Sequence, residues 1–100
     1  MPAGYVIIPA TTTGDLALLS QRVTLLGWSL MEDAGSPALA SAYLRDGGSA
    51  GAAIVAAIKM PLSGTSQVWF GDIDNGGINL KNGLFLDMVA GSISGAIYIG

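Results

Sequence analysis

Asn82-Gly-Leu-Phe-Leu-Asp-Met-Val-Ala-Gly-Ser-Ile-Ser-Gly-Ala-Ile-Tyr-Ile-Gly100 is the stretch whose reading decides the fold. Leu84, Leu86 and Met88 alternate with Phe85, Asp87 and Val89; Ile93, Ile97 and Ile99 alternate with Ser94, Ala96 and Tyr98. A period of two marks pleated strands with one face buried. Ala90-Gly91-Ser92 is a short Gly-containing link between them, so the stretch predicts a β-hairpin. Strand through to Gly100 also predicts a small β unit with no tail or second domain after it.

The same alternation recurs upstream. Arg22, Thr24, Leu26, Trp28 and Leu30 fall on one face of a strand over 22–31, with Val23, Leu25, Gly27 and Ser29 on the other. Further strands are expected at 5–8 (closed by Pro9), 16–19, 38–45, 53–60, 67–70 and 78–80. Turn residues separate them: Glu32 to Pro37, Asp46 to Gly51, Ser63 to Ser66, and Lys81 to Gly83. Only 53–60 raises a contest, because five alanines between 50 and 57 favour helix. Gly51 and Pro61 bound that run at strand length, and Ile54, Ala56, Ile58 and Met60 share a strand face, so a strand is predicted. About eight short strands with closely spaced turns predict an all-β chain, a sandwich or barrel.

One hundred residues make one domain. Hydrophobic residues are 51% of the chain but aromatics only 7%, with alanine making up much of the difference. Small side chains bury little area, so the core is thin and subunit contacts become a source of stability. Charged residues are 11%, less than half of the usual share of roughly a quarter. Such a chain covers itself with partners or with small polar residues. Net charge is −3 and there are four basic residues, which form no stripe for nucleic acid. No cysteine is present for a disulfide or thiolate, and no histidine for general-base or metal chemistry. The opening Met1-Pro-Ala-Gly-Tyr5 lacks the positive region of a signal peptide, and the apolar stretches fall short of the roughly 20 residues of a membrane helix. A soluble protein assembled in the cytoplasm is expected.

Asp72-Ile-Asp74-Asn75-Gly76-Gly77 begins like a calcium loop, but Gly76 and Gly83 stand where a fifth-position oxygen ligand and a twelfth-position acid are needed. It reads as a turn, and no metal or cofactor site is assigned. Asp46-Gly-Gly-Ser-Ala-Gly51 lacks the Lys-Ser/Thr of a phosphate loop. Glu32 with Asp33, and Asp72 with Asp74, are carboxylate pairs placed in turns, and Asp87 sits on a polar strand face. No Ser-His-Asp set exists without histidine, so no catalytic residue is assigned and no enzyme is expected. Trp28, Trp69, Phe70 and Tyr43 suit a stacking platform for sugar or single-stranded nucleic acid, but in a chain this poor in large side chains both tryptophans are expected inside.

Thr12-Thr-Gly-Asp-Leu-Ala-Leu-Leu19 and Val23-Thr-Leu-Leu-Gly-Trp-Ser-Leu30 resemble the opening of small β-sandwich structural proteins in the virions of tailed bacteriophages. The likeness continues in Tyr43-Leu-Arg-Asp-Gly47, Trp69-Phe-Gly71, Gly77-Ile78, Asn82-Gly-Leu84 and Ala90-Gly-Ser-Ile-Ser-Gly-Ala-Ile-Tyr98. It spans about residues 11–100 and rests on pattern, not on a chemical signature. It implies a jelly-roll-like sandwich over 11–100 acting as a capsid decoration or cement protein. Such a protein binds the major capsid protein at the capsid surface, stabilises the shell and self-associates, as a homotrimer over capsomer junctions. Residues 1–10 are then an N-terminal arm or a first strand. Tyr5, Val6, Ile7 and Ile8 are candidates for contact with a neighbour, and Arg22 and Arg45 for polar contact with an acidic shell. The competing expectation is a tail-associated or surface module that binds carbohydrate.

Overall fold

A computed structural model describes residues 4–35, 38–70 and 76–100. Among these residues lie nine strands and no helix: β1 (Gly4–Thr12), β2 (Leu16–Leu19), β3 (Val23–Glu32), β4 (Ala40–Asp46), β5 (Ala53–Met60), β6 (Thr65–Trp69), β7 (Ile78–Leu80), β8 (Leu84–Ala90) and β9 (Ile93–Ile99). All pairings are antiparallel. Sheet A runs β1-β9-β3-β6, with β7 also paired to β3; sheet B runs β2-β8-β4-β5. The first strand pairs with the last, the second with the eighth, the third with the sixth and the fourth with the fifth. That wrapping is jelly-roll-like, an antiparallel sandwich with β7 as an additional short strand.

The expected terminal hairpin is not formed. β8 lies between β2 and β4 in one sheet, and β9 lies between β1 and β3 in the other. Gly91 and Ser92 carry the chain from sheet to sheet. Gly91 takes φ +80°, and a Cβ there would stand 2.5 Å from the Leu39 carbonyl oxygen. Alternation reports which side chains of a strand are buried, and it is the same whether the next strand is a hairpin partner or lies across the core.

The described residues of the 1–10 segment, from Gly4 on, lie in strand β1. β1 is an edge strand of sheet A, from Gly4 opposite Ile99 to Ile8 opposite Gly95. It continues through Pro9, where the pairing slips before resuming with Thr12 opposite Ile93. Proline donates no hydrogen bond, and an irregular edge strand is where that is tolerated.

Two more irregularities redirect side chains. Between Leu25 and Gly27 the register of β3 on β9 shifts. Val23 and Leu25 before the shift therefore share the core with Trp28 and Leu30 after it, although strict alternation separates them. In β5 the shift falls between the partners of Leu44 and Arg45, skipping Val55. Ile58 and Met60 are buried as expected, whereas Ile54, beyond the shift, is exposed. The alanine-rich run is a strand because β4 offers it a partner and two of its large residues, Ile58 and Met60, reach the core.

The core lies between the sheets. Ile8, Trp28, Leu30, Ile93 and Ile97 come from sheet A, and Ala42, Leu44, Met60, Leu84 and Leu86 from sheet B. Trp28 stands edge-on to Phe70 at 5.6 Å between ring centroids, and its Nε1 donates to Ser66 Oγ at 2.9 Å.

Candidate functional site

Register places one row of residues side by side across the outer face of sheet A. Tyr5 is opposite Tyr98, Tyr98 opposite Gly27, and Gly27 opposite Trp69. Tyr5 is 66% exposed and Trp69 62%. Gly27 leaves the gap that lets the two flanking rings meet: Trp69 and Tyr98 stand edge-to-face with centroids 5.8 Å apart. A Cβ on Gly27 would come within 2.1 Å of the Val68 carbonyl oxygen, so the close approach of β6 requires glycine there. The next row is Ile7, Ala96, Ser29 and Gln67, and the one beyond contains Ser94, Met31 and Thr65. None of these residues is charged. Trp28, Ser29, Gln67, Val68, Trp69 and Tyr98 line a shallow hollow of about 420 Å³ on this face.

Trp69 thus corrects the expectation that both tryptophans are internal. Trp28 is buried, Trp69 is outside, and Phe70 packs half-buried against the core. Tyr43 belongs to the other sheet, so the four aromatics first grouped as a platform are not one surface. Tyr98 and Tyr5 take their place beside Trp69. Their alternation in sequence marks them as outward-facing, but only the register of four strands aligns them.

The residues expected at subunit contacts divide. Tyr5 and Ile7 are exposed on the outer face of sheet A, Val6 is half-buried at its edge, and Ile8 is 1% exposed in the core. Ile8 is therefore a packing residue of β1, not part of a free arm. Arg22 is exposed. Arg45 is engaged internally: Nε and Nη2 meet Asp87 Oδ2 at 2.9 and 2.8 Å, Nη1 donates to the Ala52 carbonyl at 2.6 Å, and the guanidinium lies over the Tyr43 ring. It is not free for an acidic shell without breaking these contacts.

All five acids within the described residues accept internal hydrogen bonds. Asp15 accepts from the Met88 N–H, Asp46 from those of Lys81 and Asn82, and Asp87 from Arg45. Glu32 and Asp33 build a knot at one end of the sandwich. Glu32, only 4% exposed, accepts from the N–H groups of Ser63, Ala34 and Ala38. Asp33 accepts from Ser92 Oγ and the Thr11 N–H, both at 2.6 Å. The pair expected in a turn thus ties three loops to β1. Asp72 and Asp74, with most of the calcium-like segment, lie outside the described residues. Among the described residues, no group of three His, Cys, Asp or Glu could hold a metal, and no helix is long and apolar enough to cross a membrane.

The knot is acid-sensitive. The Ser63 N–H above all, with Ala34 and Ala38, holds Glu32 below its ordinary 4.5 despite its burial. Burial opposes ionisation of Asp33, but the bonds from Ser92, Thr11 and Ser94 outweigh it and hold the group below 3.8. The folded protein therefore binds fewer protons here than the unfolded chain. The resulting stability is fully present above the ordinary values and is lost as pH falls through the lower folded ones. Thermal melts are expected to be level from neutral pH to about 5 and to drop progressively below that. Glu32→Gln should weaken the acid-side slope; a melting temperature unchanged between about pH 5 and 3 would contradict this role.

No family model, curated protein or solved structure matches this chain.

Proposed function

We propose that this chain is a structural protein of a phage virion, a decoration protein that adheres to the major capsid protein and stiffens the shell. One observation carries the reading: large apolar side chains stand exposed on both broad sides of a domain with little charge. Tyr5, Ile7, Met31 and Trp69 are exposed on sheet A; Leu39, Ile54, Leu62 and Val89 are exposed on or beside sheet B. Scattered single exposures are ordinary, but apolar groups on both sides suit a molecule whose work is contact. The sheet B side fits a protein partner better. Val89 and Tyr43 line a hollow of about 260 Å³ with Lys59 beside it, an apolar centre with a charged rim. Self-association as a trimer belongs to the same proposal and follows the resemblance of 11–100 to virion proteins.

The test is copy number. Quantitative mass spectrometry of particles purified from cells carrying the gene should find the chain in stoichiometry with the major capsid protein. A handful of copies per particle would place it in the tail, and absence from particles would remove the reading. Val89→Asp should lower occupancy on particles while leaving the fold intact by circular dichroism.

A further inference from the structure

We infer that the outer face of sheet A is a binding site for neutral carbohydrate, with Trp69 and Tyr98 as its stacking shelf. This inference gives the sheet A side its own ligand and leaves the sheet B side, with Val89 and Tyr43, to the capsid reading. Its basis is the row Tyr5, Tyr98, Gly27, Trp69 and the hollow beside it.

Three observations select the ligand. The first is the exposed ring. Trp69 is 62% exposed although it could have been packed elsewhere in a chain short of large side chains, and Tyr98 braces it edge-to-face. An indole presents an electron-rich face, which attracts the weakly positive C–H groups of a pyranose ring. The second is the polar margin. Gln67 and Ser29, opposite one another one row along, carry an amide and a hydroxyl; among the described residues neither has a side-chain partner. Together they can donate to and accept from vicinal hydroxyls. The third is that, among the described residues, the three outward rows carry no charge that would attract an acidic sugar, a phosphate or a nucleic-acid backbone.

Size argues against a second copy of the chain as the occupant. From the spacing of strands and residues, two rows across four strands and a third across three cover on the order of 300 Å². A stable protein interface takes about 800 Å² from each partner. A patch of that size, with a hollow of about 420 Å³, matches a few sugar rings.

The full chain and its variants are titrated with maltohexaose, cellohexaose and chitohexaose by isothermal titration calorimetry, and acrylamide quenching of tryptophan emission is followed in the parent. Saturable binding of at least one is expected, with Trp69 shielded from acrylamide on binding. Trp69→Ala and Tyr98→Ala should each weaken it about tenfold or more. Gln67→Ala should weaken it less, and Val89→Asp, on the opposite side, should leave it unchanged. Circular dichroism and melting temperature establish that each variant is folded. No saturable binding of any of the three at millimolar concentration overturns the inference, as does binding indifferent to Trp69→Ala and Tyr98→Ala together. A dimer by light scattering that Trp69→Ala dissolves would assign the face to self-contact and also overturn it. Particle occupancy, measured separately, is untouched by either outcome.

Discussion

Trp28→Ala is expected to reduce the unfolding free energy by about 3–5 kcal/mol, the cost of truncating a buried aromatic. Trp28 is 6% exposed, packs edge-on to Phe70 and donates from Nε1 to Ser66. Truncation opens a cavity between the sheets and leaves the Ser66 hydroxyl without that donor. In a core with alanines at positions 40 and 42, few large groups remain to close the gap. A small domain has about 5–15 kcal/mol to lose, so the variant should be partly unfolded near body temperature. Urea denaturation followed by far-ultraviolet circular dichroism gives the value. Trp28→Phe keeps most of the ring volume and should be milder. A loss below about 1 kcal/mol for Trp28→Ala would place this side chain outside the core. Trp69→Ala, by contrast, removes an exposed ring and should change stability little.

Gly27→Ala is the second large effect, and its sign opposes strand propensity. Alanine is a better strand residue than glycine, so propensity alone predicts a gain. Here the added carbon would lie 2.1 Å from the Val68 carbonyl oxygen and 3.1 Å from Trp69 Cα, both backbone atoms of β6. β6 must move away from β3, disturbing the pairs from Gly27 opposite Trp69 to Met31 opposite Thr65. Overpacking of this kind costs about 1–3 kcal/mol, and each kcal/mol lowers the melting temperature by roughly 4–8 °C in a domain of this size. Differential scanning calorimetry should show that fall for Gly27→Ala. Gly4→Ala, on a strand with nothing within 4 Å, should stay within about 0.5 kcal/mol of the parent. Equal melting temperatures for Gly27→Ala and the parent would mean that β6 does not approach β3 this closely.

The sequence was legible where alternation was unbroken. Ala53–Met60 and Ile78–Leu80 are strands over the residues that turn signals and periodicity delimit. Illegible was anything that depends on which strand lies beside which. Leu84 to Ile99 alternates correctly and still is no hairpin, because side-chain period carries no information on whether a short link folds back or crosses to the other sheet. The register shifts near Leu25 and Val55 reverse facing within a strand and leave no trace in composition. Trp69 was misjudged for a related reason. A chain with few large residues favours placing each one inside, but Trp69 lies one residue along from the inward Val68 and faces out. Glu32 looked like a turn acid, and only the fold brings the Ser63 N–H to it from 31 positions away.

The placement of β9 between β1 and β3 has a kinetic consequence. Gly4 pairs with Ile99, and Leu25 with Ile99 on its other side. Sheet A is therefore held together by contacts that close loops over most of the chain, and loop-closure entropy is spent before those contacts give anything back. Nucleation within β4 and β5, neighbours in sequence, is topologically cheaper than anything involving β1. Until β9 docks, β1 and β3 present unpaired backbone to their surroundings, including to the same strands of other copies. A chain wound in this way is most vulnerable to mispairing when it is concentrated and newly made, so its encounter with partners is best timed after the ninth strand is in place.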